Sequence, residues 1–198
     1  KENQKKPEHP PVLNNKNVVG QLTRYGAENP ETTVTFTTRL GNITIALYTD
    51  TPLHRANFIY LAKQGYFTKT QFHRVLPNFI VQGGNSDDAS VPRKRKKIGA
   101  GYLLPAELGN GRRHVYGTVS GAKEYRKNPD KKSFPFEFFI FLGQPKHTGH
   151  LNGNYTIFGR VTAGMPVVEK IAALQRDAGD WPLTNVYIRE VRVAGVKY

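Results

Sequence analysis

The residues best suited to chemistry sit where a core strand should be. The stretch "FHRVLPNFIVQGGN", Phe72 to Asn85, is rich in apolar side chains, yet it carries His73, Arg74 and Gln82, and Pro77 interrupts it. Long polar side chains are rarely buried without partners, so a cation and an amide within an apolar run need a purpose. Other chemistries lack their parts. There are no cysteines, which removes disulfides, thiolate nucleophiles and Cys-based zinc sites together. His147 and His150 in "HTGH" have a ligand-like gap, but no carboxylate lies close by, and a surface loop explains them better than a metal site. Ser120 in "GTVSG" lacks the spacing of a nucleophile held at a sharp turn. The glycines around Gly99 do not form a phosphate loop.

Lys and Arg number 29 against 15 Asp and Glu, a formal net charge of +14. Such a field favours anionic neighbours, whether nucleic acid, acidic lipid or acidic protein. The densest run is "RKRKK", Arg93 to Lys97, with Arg112 and Arg113 further on. No groove-reading motif accompanies them, so nucleic acid is not the favoured partner. An acidic partner docking through Arg93–Lys97 is the electrostatic alternative. No apolar run approaches the roughly 18–20 residues of a transmembrane helix.

The elements that must position these residues follow from periodicity. Residues 1–31 are polar and proline-containing, and read as an N-terminal arm or tether with a short structured piece around Val18 to Tyr25. "TVTFTTRLGNITIALY" is an alternating hairpin turning at Leu40-Gly41-Asn42. In "TPLHRANFIYLAKQGYF", Pro52 suits a first helical turn, Gly65 a stop, and Phe58, Leu61 and Ala62 give one apolar face. Phe72–Asn85 supplies two short strands around Pro77-Asn78. Residues 85–115 read as a long irregular excursion, functional or mobile. Strands follow in "VYGTVSGA", "FPFEFFIFL", "YTIFGRVTAG" and "TNVYIREVRVAG", with a charged loop "KEYRKNPDKKS" and a second helix in "PVVEKIAAL". The expectation is a mainly β fold of about eight strands closed into a barrel, with two α-helices covering its ends.

Three blocks carry a resemblance. "FHRVLPNFIVQGG", "FEFFIFLG" and "HLNGNYTIFGRVTAGMPVVEKI" resemble the cyclophilin family of peptidyl-prolyl cis-trans isomerases, in order and spacing, from about Thr33 to Val193. The resemblance implies a closed eight-stranded antiparallel β-barrel capped by two α-helices, here residues 32–198. It also implies rotation about X–Pro bonds of other polypeptides, a role in protein folding, and no metal or cofactor. By the same resemblance Arg74 is the catalytic arginine and Gln82 holds it and the substrate backbone in register. Phe79, Ile80, Phe139 and Leu151 line the proline pocket, with Ile80 where the family usually has methionine. Ala122 belongs to the substrate groove and His73 to the neighbouring wall.

The chemistry can be reasoned independently. A trans X–Pro bond is only slightly favoured over cis, but rotation breaks amide resonance and meets a barrier of about 18–20 kcal/mol. A catalyst therefore needs no nucleophile. It must hold the proline and offer a hydrogen bond to the prolyl nitrogen as the amide twists, each 1.36 kcal/mol of preferential stabilisation being worth about tenfold in rate.

The chain departs from the family pattern at four substrate-binding positions: Tyr155 replaces histidine, His150 tryptophan, Glu137 glutamine and Lys123 asparagine. Glu137 raises two alternatives: it pairs with Arg74 and steadies it, or it neutralises that donor. These departures also define a rival function, a module that holds proline-containing segments with weak or no turnover; on either reading a monomer is expected. A chain starting at Lys1 with a tether-like arm further suggests an exported bacterial protein, with a cytoplasmic one as the alternative.

Overall fold

Alternation builds the first hairpin. In β1 (Thr33–Thr38) and β2 (Gly41–Leu47) every second side chain, including Val34, Phe36, Ile43 and Ile45, is buried. Gly41 turns the chain at φ +129°, where a Cβ would also meet Val167 at 2.7 Å, so only glycine serves there. The computed structural model describes residues 11–144, 146 and 148–197. After the hairpin come α2 (Pro52–Lys63), β3 (Gln71–Leu76), β4 (Ile80–Asn85), α3 (Ser90–Ile98), β5 (Thr118–Gly121), β6 (Phe138–Phe141), β7 (Ile157–Ala163), α4 (Met165–Ala172) and β8 (Glu190–Val193), and α1 (Val18–Glu28) precedes it.

The strands form one eight-stranded antiparallel sheet in the order β3-β4-β6-β5-β7-β2-β1-β8. Its inner face holds the aromatic core, where Phe36, Phe58, Phe67 and Phe138 meet with ring centroids 4.8 to 5.9 Å apart. The expected ladder closing the barrel is not present between β3 and β8. Those two are the terminal strands, and a single bridge, Gln71 to Tyr187, spans the gap. Three further bonds flank it, from Phe72 N–H to Val186 O (3.0 Å), from Ile188 N–H to Thr70 O (2.8 Å) and from Lys69 N–H to Ile188 O (2.9 Å). β8 pairs with β1, and the contacts to β3 come from residues 186–188 just before it.

Four helices, not two, cover the sheet among the described residues. Of the expected arm, residues 1–10 lie outside the described residues; the rest is docked from Leu13 onward, and the structured piece expected around Val18 to Tyr25 is α1. Val18, Leu22 and Gly26, four apart along α1, are buried, as i, i+4 spacing requires of one helical face. Gly26 lets α1 approach Ala56 of α2, Arg55 donates to the Gly26 carbonyl at 2.9 Å, and Tyr25 meets Tyr60 edge-on at 5.1 Å. As a result α2 is covered by the sheet on one side and α1 on the other, and every residue from His54 to Ala62 is buried, not the single face its periodicity suggested. Among the described residues no helix is long and apolar enough to cross a membrane.

The basic run lies in α3, not in an irregular loop. Pro92 occupies its first turn, where a missing N–H costs nothing. Lys94 Nζ donates to the carbonyls of Gly65, Tyr66 and Thr68, just beyond the C-terminal end of α2, where the helix dipole favours a cation. Arg95 lies over the rings of Tyr66 and Phe136 and bonds the Gly84 carbonyl at 3.1 Å. Two of the five cations thus hold the fold, and Arg93, Lys96 and Lys97 remain exposed.

Docking of α1 through Leu22 predicts that Leu22→Ala lowers unfolding free energy by about 2–4 kcal/mol in urea titration. An unchanged midpoint would show that α1 contributes nothing to the fold.

Candidate active site

Pleating separates two apolar clusters. Val75, Val81, Phe138 and Ile140 face the main core, whereas Ile80, Phe139, Phe141 and Leu151 form a second cluster on the other side of the sheet. A rung of register partners crosses that second face: Arg74 opposite Gln82 and Gln82 opposite Phe139, with Ser120 opposite Phe139 on β5. The register of β3 shifts between Phe72 and Arg74, leaving His73 without a cross-strand partner. Such a bulge re-aims a side chain, and it explains the broken alternation of "FHR". Gly84 is needed next to it: at φ +103° a Cβ would lie 2.0 Å from the Phe136 carbonyl oxygen.

The second face opens as a groove of about 320 Å³. Ten of the twelve residues named from the sequence line it: Arg74, Phe79, Ile80, Gln82, Ala122, Lys123, Phe139, His150, Leu151 and Tyr155. Ile80, Ala122, Phe139 and Leu151 are buried and give an apolar floor. Tyr155 stands edge-on to Phe139 at 5.6 Å, His150 lies 6.0 Å from Phe79, and the Lys123 ammonium sits 4.5 Å over the Tyr155 ring. His147 lies outside the described residues.

His73 and Glu137 do not line the groove, and Glu137 does not partner Arg74. The Glu137 carboxylate takes a 2.8 Å contact from His73 Nε2 and a 3.3 Å bond from the Gln82 amide. Gln82 therefore stands opposite Arg74 but is bonded to Glu137, not to the guanidinium. His73 Nδ1 has no partner among the described residues, so Nε2 carries the proton given to Glu137. Burial pushes the Glu137 carboxyl up, but the bond and charge of His73, then Arg95 and Gln82, outweigh it, and the net shift is below the ordinary value. Arg74 instead has Nε 3.7 Å from Asp180, which also takes Arg176 at 3.2 Å. Neither Nη atom of Arg74 has a hydrogen bond among the described residues.

Behind Phe139 lies His114, parallel to it at 5.9 Å. The Asn152 side-chain oxygen accepts from the backbone N–H and Nδ1 of His114, leaving Nε2 to accept from the Ser120 hydroxyl at 2.8 Å. Burial, above all, holds this imidazole below its ordinary pKa, so it backs the ring as a neutral group. Sequence reasoning missed His114, Asp180 and Tyr125, an exposed tyrosine on the groove rim. It also missed Trp181, which bonds Gln71 and Asn185 and lies 5.7 Å from His73. Only an aromatic within a charged loop, Tyr125, gave any signal.

The family model for cyclophilin type peptidyl-prolyl cis-trans isomerases matches residues 33–193. A Dictyostelium discoideum peptidyl-prolyl cis-trans isomerase is 37% identical over 80% of this chain and 95% of its own. A peptidyl-prolyl cis-trans isomerase-like 1 of Aspergillus fumigatus is 33% identical over 82% and 95%. Among solved structures, a Cryptosporidium parvum cyclophilin type isomerase crystallised in the presence of the dipeptide Ala-Pro superposes with TM-score 0.67 at 25% identity, covering 83% of this chain and 99% of that one. The chain belongs to the cyclophilin-type peptidyl-prolyl cis-trans isomerase family.

A carboxyl with a depressed folded pKa stabilises the protein above its unfolded value and loses that contribution as pH falls through the folded one. Urea titrations below the ordinary glutamate value of 4.5 should therefore show a steeper loss for wild type than for Glu137→Gln. Parallel slopes would mean that Glu137 has no part in the acid limb.

Proposed function

We propose that this groove rotates X–Pro bonds of other polypeptides, with Arg74 as the donor to the twisting amide. The observation that carries the reading is the rung Arg74–Gln82–Phe139 bordering an apolar floor, with both Nη atoms of the arginine uncommitted among the described residues. Proline rests on Phe79, Phe139 and Leu151. In the planar amide the nitrogen lone pair is delocalised and accepts nothing. As the bond twists the lone pair localises, and Arg74 donates to it. The bond exists only in the twisted state, which is the condition for raising turnover and not merely tightening binding.

Glu137 serves this arrangement from beneath. Bonded to His73 and Gln82, it holds β3, β4 and β6 together without lying against the guanidinium, and Asp180 sets the direction of Arg74 from the outer side. The sheet works as a closed barrel in this reading, with the Gln71–Tyr187 bridge as its seam. Clients are exposed proline-containing segments of folding chains.

Removing one preorganised donor to a transition state costs about 10²–10³ in rate. Arg74→Ala should lose about that much in a protease-coupled assay on a short X–Pro peptide, with its urea midpoint unchanged. Undiminished turnover in the variant would remove Arg74 from the mechanism.

A further inference from the structure

The charges around the groove are one-sided. Its ionisable lining, the tyrosines aside, is Arg74, Lys123 and His150, and among the described residues no carboxylate borders it. The nearby acids are engaged elsewhere. Glu137 is beneath the floor on His73, Asp180 is shared by Arg74 and Arg176, and Glu124 accepts from the Arg126 backbone N–H at 3.1 Å. Lys123 has no carboxylate within ion-pair distance among the described residues. Its ammonium rests on the Tyr155 ring, and desolvation first, then the charge of Lys131, disfavour its charged form more than Glu124 favours it.

The same polarity continues past Tyr155. That ring also borders a second cavity of about 380 Å³, lined by Arg112 and Arg113 just after the loop Gly109–Gly111 and by Glu107. The Glu107 carboxylate is taken up by the His54 ring and the backbone N–H groups of Leu53 and His54. Lys131 donates to the carbonyl of Gly153 on its wall at 2.7 Å. Arg112 is held by Asp50 at 2.7 Å and lies 3.7 Å over the Tyr48 ring, yet its Nη1 has no partner among the described residues. Arg113 is exposed and lacks an ion pair among them. A polypeptide laid across Tyr155 therefore meets cations on both sides of the proline floor.

We infer that this isomerase selects proline segments bearing a carboxylate side chain close to the proline, and that Lys123 reads it. The inference rests on the proposed isomerase function and adds the class of substrate. Lys123 is suited to the task because it borders the proline groove, is partly desolvated, and has no acid of its own to release first. A single rim ion pair is a modest device. It should favour the acidic substrate by about three- to fivefold, and salt should screen that preference away.

The test uses the whole chain and peptide pairs differing only by Glu or Gln, scanned from two residues before the proline to two after it. Cis–trans exchange is followed by NMR at low and high salt. The expected result is a Glu peptide exchanged about three- to fivefold faster than its Gln twin at one or more positions. The gap should close in high salt and in Lys123→Gln. Equal rates for every pair at low salt would overturn the inference, and so would a preference that survives in Lys123→Gln. If no peptide is exchanged faster than in buffer, the isomerase function itself fails. The charge preference is then decided by titrating the same pairs for binding, where equal affinities overturn it and tighter binding of the Glu peptide supports it.

Discussion

One rung of the sheet governs the site. Arg74, Gln82, Phe139 and Ser120 are successive cross-strand partners on β3, β4, β6 and β5. Because side chains alternate along each strand, a one-residue slip would turn this whole set into the aromatic core. The register is defended from both sides. Inside, Phe72 and Phe138 press on Gly83, where a Cβ would have only 3.0 to 3.1 Å. Outside, Gly84 lies against the Phe136 carbonyl, and Glu137 ties His73 and Gln82 across three strands. The arginine, the amide and Phe139 are thus positioned by ladder hydrogen bonds, while Phe79 and Leu151 complete the proline floor from the turns beside them.

A buried carboxylate beside a catalytic arginine would ordinarily threaten the donor. Here the bulge at His73 resolves the conflict by giving Glu137 a nearer partner. Breaking such a buried pair leaves an uncompensated charge, so the carboxylate stays with the histidine. The high positive charge of the chain divides in a similar way. Lys94 and Arg95 close off exposed carbonyls and aromatic faces within the fold, whereas Lys123 and Arg113 face open cavities. Counting charges in the sequence does not separate these two populations.

Much of the site was readable from the chain. The resemblance carried by the blocks around Arg74 and Phe139 put Arg74, Gln82, Phe79 and Phe139 in one site, and the hairpin around Gly41 was plain from alternation. What escaped depended on partners far along the chain. Asp180 reaches Arg74 and Trp181 reaches Gln71 from a loop more than a hundred residues away, and nothing local marks either. The helix α3 was hidden because five consecutive cations show no apolar face, and its support comes from carbonyls beyond α2. The docking of α1 was signalled by Val18, Leu22 and Tyr25 at helical spacing, but the polar residues around them masked it. Glu137 was singled out as a departure, yet its partner was undecidable without knowing that β3 bulges at His73.

The central claim is that this groove turns amides over as well as holding them. Without a catalyst, cis and trans forms of an X–Pro peptide interconvert over tens to hundreds of seconds, too slowly to give exchange cross-peaks between their resonances. Two-dimensional NMR exchange spectra of one short X–Pro peptide, recorded with a small molar fraction of the wild-type protein, test the claim directly. The account predicts cis–trans cross-peaks that grow with protein concentration. Binding shifts without any such cross-peaks would contradict it.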